Sequence, residues 1–229
     1  MSAPAPIVVE AVVADSERPA VVAAGEQLGE CLRAASGHDW PVDVRFRPTI
    51  GSVAATGRPT LALLSLLPEL AMPKASPEQV HARWRAQLSL LAGVVPALFV
   101  CTIFRHVGRV GDPQSATGAG TLERIRRLDL LAAELSHETG IGVIDIDRVF
   151  AHVGARDLQA DYRLEGRLAA EVAAHTIVAA ILDLGLDDVV PPAVLLRARE
   201  YQGNLWTIYA YVARRLRATA RAGVGAIDG

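Results

Sequence analysis

A serine that follows an aspartate, Asp15-Ser16, stands where the first apolar stretch of the chain ends and an amphipathic stretch begins. If a strand leads here into a helix, the Ser16 hydroxyl lies at the strand's carboxyl end, beside the free N–H groups of the first helical turn. Such groups stabilise an oxyanion, and a serine hydroxyl attacks an ester once a base takes its proton. The same residues also form an ordinary helix cap, so both interpretations stay open.

A base for Ser16 would have to come from one of six histidines. His106 is the strongest candidate because it lies in a long glycine-containing loop directly after the fourth apolar stretch, with Arg105 and Arg109 close by. These arginines can bind a carboxylate, a phosphate or an acyl-carrier phosphopantetheine. The alternative is a solvated loop whose arginines pair with nearby aspartates. His152, a few residues after the fifth stretch, is the second candidate for the base.

Neither a nucleotide nor a metal is expected. The spacing Gly108-x-x-Gly111 lacks both Gly-x-Gly and Gly-Lys-Ser/Thr, so the loop is not a phosphate-binding loop. Asp145, Asp147 and Asp161 lie near one end of the predicted sheet, but no histidine or cysteine stands in the register that a metal site requires. We therefore predict no cofactor.

Apolar stretches and helices alternate along the chain. Most of the stretches are nearly continuous apolar runs, as in a parallel sheet covered on both faces, and the second alternates as an edge strand does. The strands are predicted at 7–14, 42–47, 60–66, 97–104 and 141–146, and the helices between and after them at about 16–35, 76–93, 121–140 and 164–185. This alternation predicts an α/β, flavodoxin-like three-layer fold with a five-stranded parallel sheet in the order 2-1-3-4-5. Ligands in such sheets bind beyond the carboxyl ends of the strands.

Composition excludes several classes of function. The net charge of −2 gives no basic field for nucleic acid or an anionic membrane surface. No apolar run approaches the roughly 18 residues of a membrane span, and no signal peptide is visible. Cys31 and Cys101 do not form a disulfide framework and are predicted to be small buried hydrophobes. A cytoplasmic protein is the expectation.

A break over 186–192 separates the predicted α/β domain, residues 1–185, from a linker and C-terminal helical extension, residues 186–229. A helix is predicted over 193–220, with Trp206, Tyr209 and Tyr211 beside its apolar stripe. It either packs back on the domain or provides the contact for a homodimer or another protein partner, because aromatic side chains are enriched at interfaces.

The order of the motifs resembles the sequence blocks of the SGNH (GDSL) hydrolase superfamily over about residues 7–185. The family's first block is Gly-Asp-Ser, and this chain has Ala14-Asp15-Ser16. Gly51 stands at a fitting distance for the glycine whose amide joins the oxyanion hole. The third block, Gly-x-Asn-Asp, has no counterpart in residues 64–70.

The last block of that family, Asp-x-x-His, reads Asp161-Tyr162-Arg163-Leu164 in this chain. Leucine therefore stands where the family has its catalytic histidine. A leucine cannot act as a base, and an arginine is always protonated, so the neighbouring side chain cannot replace it.

The resemblance implies that Ser16 is the nucleophile, that Gly51 and the Ser16 amide are oxyanion donors, and that Asp161 is an orienting acid. Two hypotheses follow from the missing histidine. The chain is a hydrolase or acyltransferase of a small ester or acyl substrate, with His106 as a displaced base. Alternatively, it is a catalytically inactive relative that binds an anionic ligand or a protein partner. The candidate ligand-binding residues are Asp15, Arg105 and Arg109.

Overall fold

The sheet has the predicted topology. A computed structural model describes residues 4–55, 57–72, 75–107, 118–154, 158, 160–203 and 212. Five parallel strands lie in the order β2-β1-β3-β4-β5, which confirms the predicted fold class and strand order. The strands are β1 (Ile7–Val12), β2 (Val42–Phe46), β3 (Leu61–Ser65), β4 (Ala97–Cys101) and β5 (Gly142–Ile144).

Seven α-helices stand in the part of the chain that the structure describes, together with two short 3-10 helices at Asp15–Glu17 and Leu67–Ala71. None of the described helices is long and apolar enough to cross a bilayer. The α-helices are α1 (Arg18–Ser36), α2 (Ile50–Val53), α3 (Pro77–Leu91), α4 (Gly118–Thr139), α5 (Ile146–Val153), α6 (Arg167–Leu184) and α7 (Pro192–Gln202).

Two apolar cores, one on each face of the sheet, make the three layers. On one face, α1, α6 and α7 pack together over alternate residues of β1, such as Val9 and Ala11. On the other face, α3 and α4 cover Leu64 of β3 and Val100 of β4. Because β3 is covered on both faces, all five of its residues are buried, which explains its unbroken apolar sequence.

The edge strand β2 was correctly predicted from its alternating sequence, because Asp43 and Arg45 are exposed while Val44 is half-buried. A charged residue nevertheless lies inside the neighbouring strand: Glu10 of β1 is buried. Arg47, just after β2, holds the Glu10 carboxylate through two N–H groups, with 2.9 Å from Nη2 to Oε1. The guanidinium supplies the partner that a buried carboxylate requires.

Several predicted boundaries were wrong, and three of them have a clear structural cause. The fourth strand ends at Cys101 and not at 104, since the Ile103 amide turns away to the Asp129 side chain of α4 at 2.8 Å. The first α-helix begins at Arg18 and not at Ser16, because a 3-10 turn precedes it. The last helix ends at Gln202, since Gly203 leaves the helical conformation with a φ of 78°. The predicted remainder of that helix, apart from Gly203 and Val212, lies outside the described residues.

Candidate active site

Ser16 lies at the carboxyl end of β1, inside the 3-10 turn Asp15–Glu17, and its side chain is half-buried. None of the described residues forms a hydrogen bond with its hydroxyl group. Its neighbour Asp15 is exposed and pairs with Arg18 one turn later, at 3.0 Å from Oδ1 to Nη2. Within the described part of the chain the Ser16 hydroxyl therefore has no hydrogen-bond partner, and it lies at the sheet edge where ligands bind in this class of fold.

Glu17, which sequence reasoning missed, is buried directly beside Ser16. Its Oε2 accepts the Ala14 amide at 2.8 Å, and its Oε1 accepts the Ser65 hydroxyl at 2.7 Å. Burial raises the pKa of Glu17 to about 7. The one available signal was the three-residue spacing between Ala14 and Glu17, which is that of a capping box. Its connection to the end of β3 could not be read from the sequence.

Gly51 lies in the first turn of α2, directly after the edge strand β2. It is exposed, and a Cβ built there would have no contact within 4 Å beyond its chain neighbours and its own helix. The start of α1 lies near the end of β2, since the Arg18 guanidinium is 5.2 Å from the centre of the Phe46 ring. Gly51 is thus an exposed position in the helix that follows the edge strand β2, and β2 lies next to β1, which leads to Ser16.

His106 is brought to the loop that contains Asp161. The Tyr162 amide donates to the His106 carbonyl oxygen at 2.9 Å, which joins the loop after β4 to the segment before α6. The imidazole is half-buried and stacks on Phe104, with 5.8 Å between the ring centres. None of the described side chains forms a hydrogen bond with the imidazole ring. This backbone bond joins the two loops, and no carboxylate of the described ranges orients the imidazole.

Asp161 is buried, and its carboxylate forms a salt bridge with Arg163. The Arg163 Nε lies 3.1 Å from each carboxylate oxygen, and the Arg163 amide donates to Oδ1 at 3.0 Å. The hydrogen bond to the Asp161 carboxylate raises the pKa of Arg163 above its usual value. Leu164, at the family's histidine position, is buried in the core that α1 and α6 share, and its φ is 56°. Asp161 therefore stabilises its own turn through a guanidinium.

Arg105 is likewise paired with a buried carboxylate. Asp147 accepts its Nε at 2.6 Å and its amide at 2.8 Å, and the Asp147 amide in turn donates to Thr102 Oγ1 at 3.1 Å. About half of the Arg105 side chain remains exposed. Arg109, its predicted companion in the loop, lies outside the described residues.

Two other histidines that the sequence suggested lie on helices. His152 is exposed on α5. His175, predicted to be a satisfied core or edge histidine, lies partly buried on α6, where its Nδ1 is 3.1 Å from Gln27 Nε2. Burial lowers its pKa to about 4, so it is neutral at physiological pH.

A further buried carboxyl group, Asp129 of α4, was also missed by sequence reasoning. Its Oδ1 accepts the Ile103 amide, and burial raises its pKa to about 7. Asp145 and Asp147 contribute to that rise. Over the described ranges, no group of three or more His, Cys, Asp or Glu side chains is arranged to hold a metal ion.

A groove of about 640 Å³ lies between α3 and α4, with Val80, Leu128 and Leu131 among the residues that line it. None of the candidate catalytic residues lines this groove. The candidate site is therefore the set of loops at the carboxyl edge of the sheet, and the groove is separate from it.

The fold is shared with solved esterases and lipases. An acetyl xylan esterase has a TM-score of 0.56 at 13% identity, over 76% of this chain and 100% of its own. A structure described as a GDSL-like lipase from Parabacteroides merdae has a TM-score of 0.55 at 14% identity, over 78% of this chain and 97% of its own. A third structure is a catalytic mutant of an acetylxylan esterase from Geobacillus stearothermophilus, in which a serine is replaced by alanine. It has a TM-score of 0.54 at 13% identity, over 79% of this chain and 95% of its own.

No protein-family model matches the sequence, and no curated protein sequence matches it significantly. At 13–14% identity the solved structures show the fold alone. The chain thus has the α/β fold of the GDSL/SGNH hydrolases, as the order of its motifs predicts.

Proposed function

We propose that the chain is a serine ester hydrolase or acyltransferase in which Ser16 is the nucleophile. The observation that carries this proposal is the position of Ser16: a half-buried hydroxyl without a described hydrogen-bond partner, in the turn after β1, in a fold shared with esterases. One of those neighbours is a catalytic mutant made by replacing a serine. Two neighbours are acetyl xylan esterases, which favours a short acyl group on the substrate.

In this mechanism Ser16 Oγ attacks the carbonyl carbon of the ester while His106 takes its proton. The oxyanion is stabilised by the amides of Ser16 and Gly51. Collapse of the tetrahedral intermediate breaks the bond to the alcohol, which leaves with the proton from His106. Water then releases the acid from the acyl-enzyme in a hydrolase, whereas a second alcohol accepts the acyl group in a transferase. The bond between the Tyr162 amide and the His106 carbonyl places the His106 backbone beside the loop that contains Asp161.

The experiment is hydrolysis of p-nitrophenyl acetate by the wild type, Ser16→Ala and His106→Ala. Loss of the general base or the nucleophile of such a unit lowers kcat by a factor on the order of 10³ or more. Ser89→Ala, on the exposed surface of α3, and His137→Ala, exposed on α4, are the matched controls and keep wild-type rates.

Each outcome of this experiment separates the candidates. If only Ser16→Ala loses hydrolysis, the base is not His106, and His152→Ala is the next variant to measure. If the wild type hydrolyses no faster than Ser16→Ala, the proposed activity on this substrate class is wrong.

A specific observation favours the second candidate function, an inactive binding module. Arg163 occupies the Asp161 carboxylate, and Leu164 leaves no imidazole in the family's position. The exposed half of Arg105 would then hold an anionic ligand, and α7, which exposes Leu196 and Tyr201, would contact a partner or a second copy. Titration calorimetry with acetate and phosphate, on the wild type and Arg105→Ala, tests the ligand, and light scattering tests the dimer.

A further inference from the structure

Glu17 is a buried carboxyl group next to the candidate nucleophile, and the proposed mechanism gives it no role. Its two carboxyl oxygens reach two different segments: Oε2 accepts the Ala14 amide at 2.8 Å, and Oε1 accepts the Ser65 hydroxyl at 2.7 Å. Ser65 is itself buried at the end of β3, and its Oγ accepts the Leu67 amide at 3.0 Å. A chain of three hydrogen bonds therefore connects the turn after β1 with the 3-10 helix after β3.

We propose that Glu17 is the positioning residue of the Ser16 turn, which it ties to the end of β3 through Ser65. This inference rests on the proposed function of Ser16. Glu17 does not touch the substrate, because its side chain is only 7% exposed. It holds the backbone on either side of Ser16, and with it the Ser16 hydroxyl and the amide that stabilises the oxyanion.

Among the described residues, the other hydrogen bonds of this turn are local backbone bonds. The Glu17 amide donates to the Ala14 carbonyl at 3.0 Å, and the Arg18 amide donates to the Asp15 carbonyl. The Asp15–Arg18 pair lies on the exposed surface, where ion pairs contribute little. A displacement of about 1 Å at a reacting group costs on the order of 10²-fold in rate, so a flexible turn would remove most of the activity.

The connection holds in either charge state of the carboxyl group. As a carboxylate, Glu17 accepts both bonds. As a neutral carboxyl, it still accepts the Ala14 amide, and its Oε1–H donates to Ser65, whose oxygen can accept a second bond. A glutamine in the same place makes the same two contacts. The titratable group of the described residues that faces Glu17 is the Cys101 thiol of β4, whose pKa is raised well above its usual value by burial and by Glu17.

The experiment compares Glu17→Ala, Glu17→Gln, Ser65→Ala and the control Glu26→Gln, an exposed carboxyl on α1. Hydrolysis of p-nitrophenyl acetate gives kcat and KM, and a fluorophosphonate probe gives the rate at which Ser16 is labelled. Both are normalised to the folded fraction by circular dichroism. Amide hydrogen exchange of residues 14–17 reports the turn directly.

We expect Glu17→Ala to lower kcat and the labelling rate about 100-fold with little change in KM, as a misplaced nucleophile does. Ser65→Ala should show an intermediate loss, about 10-fold, because the link between Ala14 and Glu17 survives. Glu17→Gln and Glu26→Gln should stay close to the wild type. This rescue by glutamine separates positioning from a need for the negative charge.

A Glu17→Ala protein with wild-type kcat and labelling overturns the inference. So does Ser65→Ala that abolishes labelling while Ser16→Ala does not, since Ser65 would then be the nucleophile. If the wild type neither hydrolyses p-nitrophenyl acetate nor reacts with the fluorophosphonate probe, the proposed function of Ser16 is wrong. Hydrogen exchange then tests by itself whether Glu17 holds the turn. Faster exchange in Glu17→Ala, with protection kept in Glu17→Gln, retains its role in holding the turn, and unchanged exchange removes it.

Discussion

Ser16 and Glu17 are chain neighbours with opposite surroundings. The Ser16 hydroxyl has no described partner, whereas both carboxyl oxygens of Glu17 are occupied. The difference arises because a 3-10 turn sends successive side chains in different directions. Reactivity and support thus come from adjacent residues, one at the crevice and one inside the protein.

Glu17 predicts how stability depends on pH. Burial raises its pKa from 4.5 to about 7, so the folded protein binds this proton more tightly than the unfolded chain does. Its favourable contribution is therefore complete below pH 4.5 and is lost as the pH rises to about 7. In the wild type, this titration lowers the unfolding free energy by on the order of 3 kcal/mol over this window. We expect the urea-unfolding free energy of Glu17→Gln to lack that decrease.

The measurement is urea unfolding of the wild type and Glu17→Gln at pH 4.5, 6 and 8. Asp129, whose pKa is also raised to about 7 by burial, titrates over the same range and remains in both proteins. The difference between the two curves therefore isolates Glu17. Parallel curves for the two proteins would show that Glu17 titrates near its ordinary value.

Among the elements, the turn Asp161–Leu164 stands at the place of the last sequence block of the family that the chain resembles. Its aspartate is held by Arg163, and its fourth residue packs into the core between the sheet and the α1 and α6 helices. A φ of 56° is unfavourable for leucine, and burial of its side chain offsets that strain. A histidine at position 164 would consequently lie in an apolar core and not at the crevice.

Leu164→His is therefore expected to lower stability by about 2–4 kcal/mol, from lost packing and a buried polar ring, and to leave esterase activity unimproved. Leu164→Met is the matched control and should cost less than about 1.5 kcal/mol, because it conserves volume. Thermal unfolding and p-nitrophenyl acetate hydrolysis test both. A more active Leu164→His protein would show that this side chain reaches Ser16 after all.

For the whole molecule, a polar cluster docks the helix α7 onto the helices α1 and α6. Gln202 is buried, and its Oε1 accepts Gln27 Nε2 at 3.2 Å and Cys31 Sγ at 3.0 Å. Its Nε2 donates to the His175 carbonyl at 3.2 Å. One side chain thus joins α7 to both α1 and α6, within an apolar core that also includes Leu195 of α7.

Gln202→Ala removes these three hydrogen bonds from the interior and is expected to cost about 1–3 kcal/mol of unfolding free energy. Glu200→Ala, exposed on the same helix, should change it by less than about 0.5 kcal/mol. Urea unfolding measures both variants. Equal midpoints for Gln202→Ala and the wild type would mean that apolar packing alone docks α7.

The fold was predictable because its signals are local. Apolar runs of strand length, caps and glycine stops are carried by neighbouring residues, and alternation of strands and helices restricts the topology to a few possibilities. The alternating polar residues of β2 were enough to place it at the edge. Boundaries were harder, because the Asp129 contact that draws Ile103 away from the sheet comes from another helix.

The sequence by itself determined the sheet order, the position of Ser16 beyond the end of β1 and the absence of the family's histidine. Only the tertiary structure decided the partners of the buried carboxyl groups. Asp161 bonds to Arg163, Asp147 to Arg105 and Glu17 to Ser65. The geometry of these hydrogen bonds depends on side-chain directions and on loops that meet in space. Periodicity contains no information on such contacts, and burial, which sets the pKa of Glu17, exists only in the folded chain.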